Sequence, residues 1–137
     1  MSKHVVAAER DIPPGGRKLV TVKGRQLAIF NVAGAYFGVL NRCPHQGGSL
    51  CDGILTGLIE SDEPGEYRLS REGEILRCPW HGWEFDIRTG QSYCEPERIA
   101  VKNYAVERLP GTRVVEGPYI AETVPVTVEE QYVVVEV

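Results

Sequence analysis

Two short stretches of this sequence set a cysteine beside a histidine. The first is Cys43-Pro44-His45 and the second Cys78-Pro79-Trp80-His81, a C-x-H and a C-x2-H pair with 32 residues between them. Thiolates and imidazoles are the side chains that suit zinc, copper and iron centres, so four such groups make a candidate ligand set. Glycines follow each pair, Gly47 and Gly48 after the first and Gly82 after the second. A residue without Cβ lets the chain turn sharply and aim backbone N–H groups at an inorganic cluster. Pro44 and Pro79, each next to a cysteine, stiffen these stretches and reduce the entropy lost on ordering them. The same four residues could also form a Cys2His2 zinc set. Zinc sites favour C-x2-C and H-x3-H knuckles, however, whereas here each stretch mixes the two residue types, and the paired glycines have no role around zinc.

The elements that must position these groups read as strands. Fifteen glycines and nine prolines are spread along the 137 residues, and no window of a dozen keeps an apolar period of 3.6 free of them. Helix is therefore a minor component. β-branched and aromatic runs recur at 18–22, 26–32, 35–40, 100–106, 113–115, 124–128 and 132–137, each bounded by turn residues. Lys23-Gly24 and Ala33-Gly34 sit between adjacent runs as hairpin turns, and 129–131 is expected to act likewise. The pattern predicts an all-β fold, a small antiparallel sandwich or barrel whose loops carry the function. His4 is placed in an N-terminal strand at the surface.

With 42% hydrophobic residues a chain of this length can bury one core, so residues 1–137 are read as one domain. A net charge of -4 without a Lys/Arg cluster argues against nucleic acid as a partner. The apolar run 5–8 is too brief for the core of a signal peptide, and no stretch approaches the roughly 20 apolar residues of a membrane helix. The expectation is a cytoplasmic protein without membrane insertion. Four cysteines in a reducing compartment point to metal or redox chemistry more than to disulfides.

The stretches C-P-H-Q-G-G and C-P-W-H-G-W-E-F-D, with Thr89-Gly90 soon after, resemble the two cluster-binding loops of the Rieske family. The likeness continues into the strands at 24–40 before the first loop and the closing strand at 132–137. It implies a Rieske-like sandwich with a two-loop tip and one 2Fe-2S cluster, Cys43 and Cys78 binding one iron while His45 and His81 bind the other. Two neutral imidazoles in place of two thiolates make the site less negative, so adding an electron costs less than in all-Cys ferredoxins. In the family's high-potential members a second cysteine in each loop forms a disulfide, and a Ser and a Tyr donate hydrogen bonds to the cluster. Here Trp80 stands at the loop-two cysteine position, and Trp83 and Phe85 stand where the hydroxyls would be. The resemblance therefore implies a potential near the family's lower end. Cys51 and Cys94 are read as thiols without catalytic duty, a bond between them being open only if their loops meet, and Pro96 as part of a third loop covering the cluster.

The stretch between the loops is longer than in the family's compact ferredoxins and is expected to form a hairpin insertion at about 52–76, with turns at 61–65 and 71–73 around a strand at 66–70. Residues 46–77 hold seven acidic and three basic side chains, a balance equal to that of the whole chain. An acidic face beside the cluster would steer a basic redox partner, and the alternative reading of the same charges is a solvated hairpin that keeps the domain soluble.

A Rieske oxygenase also needs a mononuclear iron held by two more histidines and a carboxylate. Of three histidines only His4 is left over, so this chain is not expected to be an enzyme by itself. The resemblance implies a ferredoxin-like carrier of single electrons from a flavin reductase to a terminal oxygenase. The alternative is a small Rieske subunit fixed in a larger oxidoreductase; a zinc or interaction module is the third reading.

Overall fold

The computed structural model describes all residues except 1, 45–46, 61–63, 66–67, 80–81, 94–98 and 122–123, and of 57–60 and 68–72 the backbone alone. Among the described residues ten strands fall into three antiparallel sheets. β1 (Lys3–Ala8), β10 (Gln131–Glu136) and β9 (Val106–Pro110) form the first, in the order β1-β10-β9. The second runs β2 (Arg17–Val22), β3 (Arg25–Val32), β4 (Ala35–Leu40), β8 (Asn103–Tyr104). The third is β5 (Ile54–Glu60), β6 (Arg68–Arg77) and β7 (Glu84–Asp86). The all-β expectation matches this architecture.

Two-residue turns join the second sheet. Lys23-Gly24 and Ala33-Gly34 have positive φ at both positions, 52° and 75° in the first and 52° and 94° in the second. That geometry carries the right-handed strand twist through a tight hairpin. It fixes the register Arg17↔Phe30 to Val22↔Arg25 and Leu27↔Leu40 to Val32↔Ala35.

β3 divides the core. Its side chains alternate, and both faces are buried: Leu27 and Ile29 pack with Val133, Val135 and Tyr104, while Ala28 and Phe30 pack with Cys43, Cys78, Leu50 and Phe85. A strand covered on both sides loses polar alternation, which is why 27–30 reads as a continuous apolar run. β3 thus separates a structural core from the one beneath the cysteine loops.

Several expectations change. The run at 113–115 lies within a short helix, α1 (Gly111–Glu116), flanked by Gly111 and by Gly117 at φ 71°. Val114 is buried there against Tyr132 and Leu109, so a helical turn satisfies the apolar residue that the run was read from. Residues 124–128 do not pair as a strand: the Tyr132 hydroxyl accepts from the Thr127 N–H at 2.7 Å and donates to the Pro125 carbonyl at 3.3 Å. With no strand before it, 129–131 is not a hairpin turn. The run at 100–106 also divides, Ala100 bridging to Gln91, Asn103 and Tyr104 pairing with β4, and Val106 starting β9. His4 lies on β1 and is only partly exposed.

The long connection pairs from Ile54↔Arg77 to Glu60↔Arg68, with a wide bulge at residues 71–74 where a turn was read. Arg77 adjoins Cys78, so the Glu60↔Arg68 rung is the one farthest from it along the ladder. A Cβ on Gly73, which has φ 78°, would lie 3.3 Å from Val32, at the β3–β4 turn, whereas loop one leaves β4 at the other end. The backbone of the ladder thus leads from the Arg77 end toward the β3–β4 turn, while Asp62, Glu63 and Glu66 of its acidic balance lie outside the described residues.

Candidate metal centre

Loop one follows β4 and loop two follows β6. Their described residues share a pattern. Arg42 precedes Cys43 and Arg77 precedes Cys78, and each cysteine N–H donates to the carbonyl five residues on, Cys43 to Gly48 and Cys78 to Trp83, both at 2.8 Å. The fourth residue after each cysteine is a glycine with positive φ, Gly47 at 80° and Gly82 at 69°. The repeated Arg-Cys-Pro with glycine four places on therefore accompanies the same closing bond and the same left-handed turn twice, because the left-handed position excludes most side chains.

The loops meet. The exit of loop one touches the entry of loop two at Gly53, where a Cβ would stand 2.5 Å from the Arg77 carbonyl oxygen and 3.1 Å from Leu76. Arg17 stabilises this junction, its guanidinium donating to the carbonyls of Cys51, at 3.1 Å, and Gly53 while lying 5.0 Å from the Phe30 ring centre. Sequence reading missed Arg17, because nothing in a strand-initial arginine signals a carbonyl partner 36 residues away.

Cys43 and Cys78 are each 1% exposed, share one packed cluster, and are not in a disulfide. His45 and His81 lie outside the described residues, as do Trp80, Cys94 and Pro96. Cys51 is a half-buried free thiol whose pKa is pushed up, chiefly by burial and against the lowering effect of Arg17. Its N–H donates to Asn41 Oδ1 at 2.6 Å. Trp83 packs against the cysteine cluster with its indole N–H donating to Ser92 Oγ at 2.6 Å, and Phe85 is fully buried. Neither side chain at these two positions offers a hydroxyl.

Two buried thiols outside any disulfide, on twin glycine-turned loops, fit an iron-sulfur centre better than a surface zinc knuckle. The fold and these loops define a small β-protein of the cluster-binding class. The chain belongs to the Rieske family: the model for the Rieske [2Fe-2S] domain matches residues 2–105. It is 33% identical over 104 residues to the ferredoxin component of a naphthalene 1,2-dioxygenase system from Pseudomonas aeruginosa, covering 76% of this chain and 84% of that one. Among solved structures it is similar to the ferredoxin of carbazole 1,9a-dioxygenase from Nocardioides aromaticivorans, at TM-score 0.62 and 20% identity over 97% of both chains. A ferredoxin from Sphingomonas yanoikuyae gives TM-score 0.57 and 30% identity over 77% of this chain and 89% of that one.

Proposed function

We propose that this chain is a Rieske-type ferredoxin, carrying single electrons from a flavin reductase to a terminal oxygenase or similar enzyme. The observation that carries the reading is the pair of matching loops, each bringing one buried thiol into the same packed cluster. Cys43, His45, Cys78 and His81 would hold one 2Fe-2S cluster, the cysteines on the inner iron and the histidines on the outer. When bound, that group supplies a one-electron couple. The chain's own residues set its surroundings: Leu50, Leu76 and Phe85 exclude water around the thiols, and Gly47 and Gly82 shape the loops. The relatives named as ferredoxin components of dioxygenase systems support the choice of partner. Residues 1–137 act as one Rieske domain with a hairpin insertion at about 52–76, working in the cytoplasm. Among the described residues no helix is long and apolar enough to cross a membrane.

Purified protein should be red-brown, contain about two irons and two labile sulfides per chain, and give a rhombic EPR signal after dithionite. An aromatic-ring dioxygenase reductase and NADH should reduce it, and the reduced form should be reoxidised by the matching oxygenase. One zinc with no labile sulfide, or a cluster that these enzymes neither reduce nor reoxidise, would overturn the reading. The absence of hydroxyls at Trp83 and Phe85 places the midpoint on the order of -150 mV, and film voltammetry giving more than about +100 mV would favour a respiratory-type role.

A further inference from the structure

Among the described residues two polar side chains are buried, Asn31 at 2% exposure and Ser92 at 1%. A buried polar group left without a partner costs about 1 to 3 kcal/mol, so each needs a structural account. Asn31 has one within the structural core, donating to the Ile12 carbonyl at 2.8 Å and accepting from the Gly34 N–H at 2.8 Å. Ser92 lies on the other side of β3. Its Oγ accepts the Trp83 indole N–H at 2.6 Å.

The position of Trp83 gives that bond its consequence. Trp83 is the last residue of loop two, and its carbonyl accepts the Cys78 N–H that closes the loop. Ser92 is held from the far strand of the hairpin that follows. It bridges to Phe85, its N–H donates to the Ile99 carbonyl at 3.3 Å, and the next residue, Tyr93, donates to the Glu84 carbonyl at 3.0 Å. The serine is thus fixed by backbone pairing, while the indole it holds is continuous with the group that closes the loop over Cys78.

We propose that Ser92 is a positioning residue of the metal centre: by holding the Trp83 indole it fixes the closing carbonyl of loop two and keeps water from the Cys78 sulfur. The inference rests on the reading of Cys78 as a cluster ligand. Without the hydroxyl, the half-buried indole N–H loses its Ser92 acceptor, and the backbone of the same residue is held less firmly. A hydroxyl at this position is what matters, so threonine should serve and alanine should not.

Two measurements on the full-length protein test it. In the first, hydrogen exchange of the 15N-labelled chain reads the Trp83 indole N–H and the Cys78 amide directly, with or without iron. Both should exchange several-fold faster in Ser92→Ala and return to the native rate in Ser92→Thr. Asn31→Ala, which removes the buried polar group of the other core, should not accelerate these two protons relative to the rest of the chain. In the second, iron release to a chelator should be several-fold faster in Ser92→Ala and in Trp83→Phe. The double variant should release iron no faster than the faster single one, because one bond is lost in all three. Native exchange at both protons in Ser92→Ala, failure of threonine to restore it, or multiplicative effects in the double variant would overturn the proposal. A protein purified without iron or labile sulfide would overturn the proposed function instead, and the exchange measurement would still decide the role of Ser92.

Discussion

Loops one and two share a closing bond and a glycine turn but not a support. Each runs Arg-Cys-Pro to a left-handed glycine and closes through a cysteine N–H bonded five residues ahead. Loop one is held by a polar side chain from its own approach: Asn41 donates to Ser49 Oγ at 3.0 Å and accepts the Cys51 N–H at 2.6 Å. Loop two is held from beyond its exit, by Trp83 reaching across the next hairpin to Ser92. One loop geometry is therefore compatible with two kinds of brace. The shared part is dictated by the cysteine and glycine spacing, and the brace by whichever strand lies next to each loop.

Removing what the loops share should have the largest effect. Cys43→Ser and Cys78→Ser are each expected to abolish cluster assembly, read as loss of visible absorption and labile sulfide, since no nearby group replaces the thiolate without moving a loop. Cys51→Ser should keep the cluster. Retention of iron in Cys43→Ser with its loss in Cys51→Ser would reverse the ligand assignment.

Removing a brace should affect one loop only. Asn41→Ala leaves the Cys51 N–H without its acceptor, a cost of about 1 to 3 kcal/mol. Denaturant unfolding should register it, and hydrogen exchange should quicken at Cys51 while Cys78 keeps its native rate. Equal acceleration in both loops would show that the braces are not independent.

The glycine turns provide a smaller and symmetric comparison. Among the described residues a Cβ on Gly47 would come no nearer than 3.5 Å to Arg42, and one on Gly82 no nearer than 3.7 Å to Arg77, so these leave space in both. The cost of Gly47→Ala or Gly82→Ala is then the left-handed backbone alone, roughly 1 to 2 kcal/mol each. Unequal destabilisation in thermal or denaturant unfolding would mean that the two turns are not equivalent.

The smallest effect concerns Cys51, whose burial holds the thiol protonated beyond its ordinary value of 9.0. Its folded pKa is raised, so the folded state retains a proton that the unfolded chain loses first. The stabilisation that burial of the neutral thiol gives is complete below the unfolded value and declines as pH rises through the folded one. Iodoacetamide should label Cys51 slowly near neutral pH and faster only above about pH 9. Rapid labelling at pH 7 would contradict that environment.

Much of the second sheet was legible because its signals are local. Lys23-Gly24 and Ala33-Gly34 specify tight turns, and the runs beside them can pair only with each other at that separation. α1 and the irregular 124–128 were not legible. Val114 takes its helical place because of a pocket made by Tyr132 and Leu109, and the backbone at 125 and 127 is satisfied by a tyrosine hydroxyl that follows it in the chain. Such partners lie in another element, so a run of β-branched residues reads the same with or without them.

The sequence by itself determined the two cysteine loops, because Arg-Cys-Pro and a glycine four places on constrain a segment of six residues whose hydrogen bond closes within it. Tertiary structure decided how those loops are brought together and braced. The Gly53 contact with Arg77, the reach of Arg17 to the loop-one carbonyls and the Trp83–Ser92 bond each join residues whose neighbours in the chain give no sign of the partner. The direction of the long acidic connection was decided there too, by strand pairing and by the close passage of Gly73 against Val32. Charge can be counted from a sequence, but the course of the backbone follows from which strands pair.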